Sequence, residues 1–251
     1  MNKPFATTHL HNALVTCSLL LLLSYHTDSI PSDHNRFHIV KCSHKPTKYE
    51  RILMTQLRNE ESTREQFCNA ANKLIELLVP KVVECLTTIT VDINSPVAHC
   101  QGEILNECIE IVSVMRSGDA LLHIFRKHFP HAAINKILVQ RNEDTAQPIF
   151  KYKKMSPTLL KAKTVIITEP MIATGGSLTM VIDLLKDYGI EEKNIIIAAV
   201  CAAPEGLARL SEQYPKLRIV LIVIDDHLNE KSYIVPGIGD FGDRYFGTEA
   251  E

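Results

Sequence analysis

A chain of 251 residues, 45% of them hydrophobic, can bury one substantial core and is short for two. A net charge of −2 and a sequence pI near 6.6 leave no broad basic excess, which argues against nucleic acid as a main partner. The seven cysteines (Cys17, Cys42, Cys68, Cys85, Cys100, Cys108 and Cys201) form no C-x-x-C pair, so they read as reduced cytosolic thiols rather than a disulfide frame or a structural zinc site.

Taken in chain order, the first feature is the apolar run "ALVTCSLLLLLSY", Ala13 to Tyr25. It resembles the core of a signal peptide but is short for a membrane span. Lys3 is the one basic residue before it, and no A-x-A-like cleavage site follows. Secretion is therefore set below the alternatives of an uncleaved extension or a start codon placed too far upstream, and a cytoplasmic location is expected. Pro31, Ser32, Asp33 and Asn35 read as a linker, which divides the chain into an extension, 1–36, and a domain, 37–251.

Ser62 and Glu65 give a capping-box signature, followed by Phe67, Ala70, Ala71, Leu74, Leu77 and Leu78 at helical spacing, with Pro80 expected to kink or end the helix. Strands are expected at Ile89–Ile93, Ile109–Met115, Ile134–Gln140, Lys163–Thr168, Asn194–Cys201 and Leu217–Ile224. Helices are expected at Asp119–Phe129, from Met180 to Tyr188 with Gly189 closing it, and at Pro204–Tyr214. Alternating strands and helices imply an α/β fold with a mostly parallel sheet, whose ligands sit beyond the carboxyl ends of the strands.

Three strand ends and one loop carry unusual residues. "EPMIATGGS", Glu169 to Ser177, links a strand to a helix through Gly175 and Gly176. Such a turn lets a ligand approach the main chain, and N–H groups at the helix start favour a phosphate. Thr174, Ser177 and Thr179 add hydroxyls. No Lys follows Gly176, so this is not a Walker loop, and the dinucleotide spacing is absent. A tight turn without a ligand is the plain alternative. Arg116 and Arg141 each end or follow a strand. Either alone suggests a surface ion pair, but together with the turn they suggest a second anionic group. The last loop, "SYIVPGIGDFGDRYFGT", Ser232 to Thr248, is too glycine-rich for a strand and too apolar for a disordered tail. It reads as an ordered surface loop or as a main-chain pocket for a small planar polar ligand.

These segments resemble the uracil phosphoribosyltransferases, in order and spacing, from about residue 37 to Thr248. "YIVPGIGDFGDRYFGT", "VSVMRSGDAL", "KILVQRNEDTAQP", "CAAPEGLARL" and "VIITEPMIATGGS" carry the likeness. Two positions depart: the family usually has Asp where this chain has Glu169, and "MRSGDA" differs from the commoner R-A-G form.

The resemblance implies a phosphoribosyltransferase-type fold with a small hood of C-terminal loop and hairpin segments. It implies transfer of ribose 5-phosphate from 5-phosphoribosyl pyrophosphate (PRPP) to N1 of uracil, giving UMP and pyrophosphate. A catalytically weak relative that binds PRPP or uracil for regulation is the alternative that Glu169 keeps open.

Residue by residue, the resemblance assigns Ala173, Thr174, Gly175, Gly176 and Ser177 to the 5-phosphate. Glu169 is assigned to the ribose hydroxyls, with Pro170, Met171 and Ile172 in the same PRPP segment. Arg116 and Arg141 are assigned to the pyrophosphate. Ile234, Gly239, Asp240 and Phe241 are assigned to uracil, and Asp240 also to PRPP beside Mg²⁺. Arg116, Arg141 and Asp240 would carry catalysis, with Mg²⁺ held mainly through PRPP and water. A homodimer or homotetramer and a GTP effector are further implications.

Overall fold

A computed structural model describes residues 45–141 and 148–248. The apolar run 13–25, the linker and the boundary at 37 lie outside the described residues. The chain opens with helices α1 (Lys48–Arg58) and α2 (Arg64–Val83), then the strands β1 (Thr88–Asn94) and β2 (His99–Leu105). Next come β3 (Ile109–Met115), α3 (Gly118–His128), β4 (Ala133–Arg141), β5 (Pro148–Lys154), β6 (Thr164–Thr168) and β7 (Met171–Ile172). They are followed by α4 (Gly176–Asp187), β8 (Ile195–Ala202), α5 (Pro204–Gln213), β9 (Arg218–Ile224), β10 (His227–Leu228), β11 (Ile234–Val235) and α6 (Phe241–Phe246).

The central sheet runs β5-β4-β3-β6-β8-β9, and every pairing in it is parallel except β4 with β5. Strand β7 also lies along β8, so β6 and β7 form one line broken at Glu169–Pro170. Proline has no N–H to give a ladder, which accounts for the break. The chain nevertheless stays on β8, because Pro170 O accepts from Val200 N at 2.9 Å and Cys201 N at 3.1 Å.

Both faces of this sheet are covered, which is why its inner strands are continuous apolar runs. Ile166, Ile196 and Val220 pack against α2 and α3, whereas Val165, Ile167, Ile195 and Ile197 pack against α4 and α5. The period of two in a strand sends neighbouring isoleucines to opposite layers. The expected hood takes the form of the β10–β11 pair and α6. Helix α6 is fixed to α2 by the Phe241 ring, whose centroid lies 5.5 Å from that of Phe67.

Several local expectations shift. The box that caps α2 is Thr63 with Gln66, one residue beyond Ser62 and Glu65; Ser62 Oγ instead donates to Gln56 O at 2.7 Å. Pro80 does not end α2, which continues to Val83, because Val79 and Val82 are buried against the core and hold the last turn. Helix α1, strands β2 and β5, and helix α6 were not foreseen. The last of these means that the glycine-rich C-terminal stretch is partly helical. Among the described residues no helix is long and apolar enough to cross a membrane, and none of the five described cysteines is in a disulfide.

Candidate active site

The phosphate-type turn begins where β7 ends. Gly175 has φ +75°, a left-handed conformation that a side chain disfavours, and Gly176 is the first residue of α4. The N–H groups of that first turn have no acceptor within the helix, and the positive end of the helix dipole lies behind them. Helix α5 supports the turn from below. A Cβ on Gly206 would lie 2.2 Å from Ala173 O, so the two backbones touch because residue 206 is glycine. Thr174 Oγ1 is 3.4 Å from Gly176 N, a long contact that folds this hydroxyl back on the turn. Thr179, offered as a hydroxyl donor, is a correction: it is off the cavity wall, and its Oγ1 is buried without a hydrogen bond. Two residues along a helix from Ser177 point to a different side.

Arg116 follows β3 directly. Its Nη1 donates to Thr248 Oγ1 at 2.6 Å, and its Nη2 makes a short contact with Asp243 Oδ1, on α6. Hydrogen bonding from Thr248 and then from the Arg116 guanidinium holds the Asp243 carboxyl below its ordinary value. Ser117, next in the chain, donates from Oγ to Glu169 Oε1 at 3.0 Å.

The C-terminal loop is held by arginines. Asp225, 1% exposed at its side chain, pairs with Arg58 of α1 at 2.6 Å and 3.0 Å and accepts Gly237 N at 3.0 Å. Arg58 also donates to Gly237 O at 2.8 Å. Gly237 and Gly239 both have positive φ, at +63° and +71°. Arg244 closes the far side, donating to Ile238 O at 2.8 Å and Leu57 O at 2.7 Å. Asp240 caps α6 by accepting Asp243 N at 2.9 Å. The peptide bonds Met115–Arg116 and Val235–Pro236 beside these segments are cis.

All three segments face one cavity of about 290 Å³ at the carboxyl end of the sheet. Of the residues expected from sequence, Arg116, Glu169, Pro170, Met171, Ile172, Ala173, Gly175, Gly176 and Ser177 line it, as do Ile234, Gly239, Asp240 and Phe241. Thr174 is not on its wall. Arg141 is the last residue of β4, at the same end of the sheet as Arg116. Sequence reasoning passed over Ser117, Tyr233 and Gly242, which also line the cavity. Ser117 was visible only in the departure of "MRSGDA" from the commoner R-A-G form, and Tyr233 carried no signal.

A mostly parallel sheet whose carboxyl end brings a glycine turn at a helix start, an arginine and a main-chain loop onto one cavity suits an enzyme for a phosphorylated substrate and a small planar one. A family model described as "Uracil phosphoribosyltransferase" matches residues 45–248. The uracil phosphoribosyltransferase of Dictyostelium discoideum is 39% identical over 198 residues, covering 78% of this chain and 91% of that protein. Uracil phosphoribosyltransferase 1 of Schizosaccharomyces pombe is 34% identical over 223 residues, covering 88% of this chain and 100% of that protein. A solved structure of an Aquifex aeolicus protein superposes with a TM-score of 0.73 at 27% identity, covering 84% of this chain and 99% of that one. The chain belongs to the uracil phosphoribosyltransferase family.

Proposed function

We propose that this cavity carries out the family's reaction, with the labour divided among its three walls. The chain is a transferase of pyrimidine salvage: it moves ribose 5-phosphate from PRPP to N1 of uracil, giving UMP and pyrophosphate. The observation that carries this is the meeting of the phosphate turn, Arg116 and the Ile234–Phe241 loop on one cavity.

In this reading the first turn of α4 and Ser177 hold the 5-phosphate, and Glu169 faces the ribose. Ile234, Gly239 and Phe241 present main-chain groups to the edge of uracil. The C–O bond to pyrophosphate breaks as the C–N1 bond forms, and the N1 proton is released. Negative charge builds on the leaving group, so fixed cations beside it lower the barrier. Arg116 uses one donor each for Thr248 and Asp243, and a guanidinium has five, which leaves capacity for pyrophosphate. Arg141 is assigned the same task by the resemblance. No covalent nucleophile is needed, and burial pushes the thiol of Cys201, which lies beside Met171 in the sheet, upward and out of the reactive range.

Mg²⁺ fits the donor chemistry, since the acidic groups on the wall, Glu169 and Asp240, offer the hard oxygens it prefers. Among the described residues no three His, Cys, Asp or Glu group together as a metal site, so PRPP and water would supply most ligands, with Asp240 nearby. Bound there, the ion would neutralise charge on the pyrophosphate.

A homodimer or homotetramer is supported by the β1–β2 hairpin, which leaves Ile93 46%, Val97 94% and Ile104 50% exposed. Sedimentation of the full chain tests it. A GTP effector rests on the resemblance, and a cytoplasmic location on the unpatterned cysteines and the substrates that the resemblance implies; a GTP titration of the rate and imaging of the tagged full chain test them. No observation favours the regulatory alternative. Steady-state formation of UMP from uracil and PRPP tests the whole reading: turnover with Mg²⁺ that stops on chelation supports it, and no turnover refutes it.

A further inference from the structure

Two polar side chains on the cavity wall, from segments far apart in the chain, touch each other. Ser117 Oγ donates to Glu169 Oε1 at 3.0 Å, across 52 residues of sequence.

The backbone holds both partners in register. Gly118, the residue after Ser117, lies so close to β6 that a Cβ there would sit 2.2 Å from Thr168 O, and Thr168 directly precedes Glu169. On its other side Glu169 N donates to Ala198 O of β8 at 3.2 Å. Ser117 occupies the N-cap of α3, yet its side chain makes no capping bond, so the hydroxyl serves the neighbouring strand end instead of its own helix.

We propose that Ser117 is a positioning residue whose hydroxyl fixes the orientation of Glu169 toward the ribose of PRPP. The proposal rests on the reading of this cavity as a PRPP site. Glu has one more rotatable bond than Asp, and ordering it on binding costs entropy. A hydrogen bond from Ser117 that holds the carboxylate before PRPP arrives offsets that cost. The serine and the longer acid therefore act as a matched pair.

A double-mutant cycle on the full chain tests this, with Ser117→Ala, Glu169→Asp and the double variant. The readouts are kcat, KM for each substrate, and PRPP affinity by calorimetry. Ser117→Ala should weaken PRPP binding and lower kcat/KM for PRPP about tenfold, with KM for uracil unchanged. In the Glu169→Asp background, where the shorter acid no longer reaches Ser117, the same change should cost less than about twofold. Ser117→Thr, which keeps a hydroxyl, should stay near the parent. If Ser117→Ala does not fold, Ser117→Gly, which also lacks the hydroxyl, takes its place in the cycle and is read in the same way. Equal losses in both backgrounds, or no loss in the parent, would overturn the proposal. A parent protein that neither binds PRPP nor makes UMP refutes the reading of the site itself, which is a different result from an active parent without coupling.

Discussion

Arg58 and Asp225, 167 residues apart in the chain, form a bidentate ion pair beneath the C-terminal loop. Both partners also bind Gly237, Arg58 at its carbonyl and Asp225 at its amide, so helix α1 and the end of β9 together set the path of the loop toward Gly239 and Asp240. Removing the guanidinium strands a buried carboxylate. Arg58→Ala should lower the unfolding free energy by about 3 kcal/mol, below the upper range for buried pairs because Arg58 is 25% exposed at its side chain. It should also raise KM for uracil more than KM for PRPP, since the turn at Gly175 is held separately. Urea unfolding together with steady-state kinetics measures both effects.

The phosphate turn has its own support at Gly206. Gly206→Ala places a methyl 2.2 Å from Ala173 O, so either α5 or the turn must move. The expected cost is at least about 2 kcal/mol of stability, with KM for PRPP raised and KM for uracil little changed. A variant with unchanged PRPP affinity would separate the turn from substrate binding.

Arg116 is half exposed, and its ion pair with Asp243 lies at the surface. Such a pair contributes little to stability, about 0–1 kcal/mol. Arg116→Ala should therefore leave the thermal midpoint nearly unchanged while reducing kcat by roughly a hundredfold or more, the scale of losing one preorganised charge at a developing anion. Rapid-quench measurement of a single turnover isolates that step from product release.

Acid should loosen α1 before the sheet. Burial opposes charge on Glu50, but the Thr47 N–H and Lys81 outweigh it, so the carboxyl is held below its ordinary value of 4.5. A depressed folded-state value means that the stabilising contribution is present above the unfolded value and is lost as pH falls through the folded one. Stability should thus decline below about pH 4.5, and Glu50→Gln should lower stability at pH 7 while flattening part of that decline. Thermal unfolding of both proteins between pH 7 and pH 3 measures it. Because α1 carries Arg58, the same titration should loosen the uracil loop.

The layout of the site was readable because strand ends carry it. Strands β3, β6, β8 and β9 announce themselves as β-branched runs buried on both faces; Arg116 and Glu169 follow directly from the ends of β3 and β6, and the glycine turn lies a few residues further on, after β7. Strand β2, "HCQGEIL", was missed because six of its seven residues are exposed and its pattern answers to its partner β1 rather than to a core. Helix α6 was hidden by its glycine. It forms because Asp240 caps it, Gly247 ends it in a left-handed turn, and Phe241 is buried against Phe67. The pairing of Arg58 with Asp225 and of Ser117 with Glu169 joins distant segments, and a single sequence holds no local pattern for such contacts.

Base choice is the most direct measurement of the central claim. Uracil, cytosine and hypoxanthine would be offered at equal concentration to the full chain with PRPP and Mg²⁺, and the nucleotides formed would be separated and quantified. The account predicts UMP, with pyrophosphate in equal amount, and no other nucleotide. A different nucleotide, or none while PRPP still binds, would contradict it.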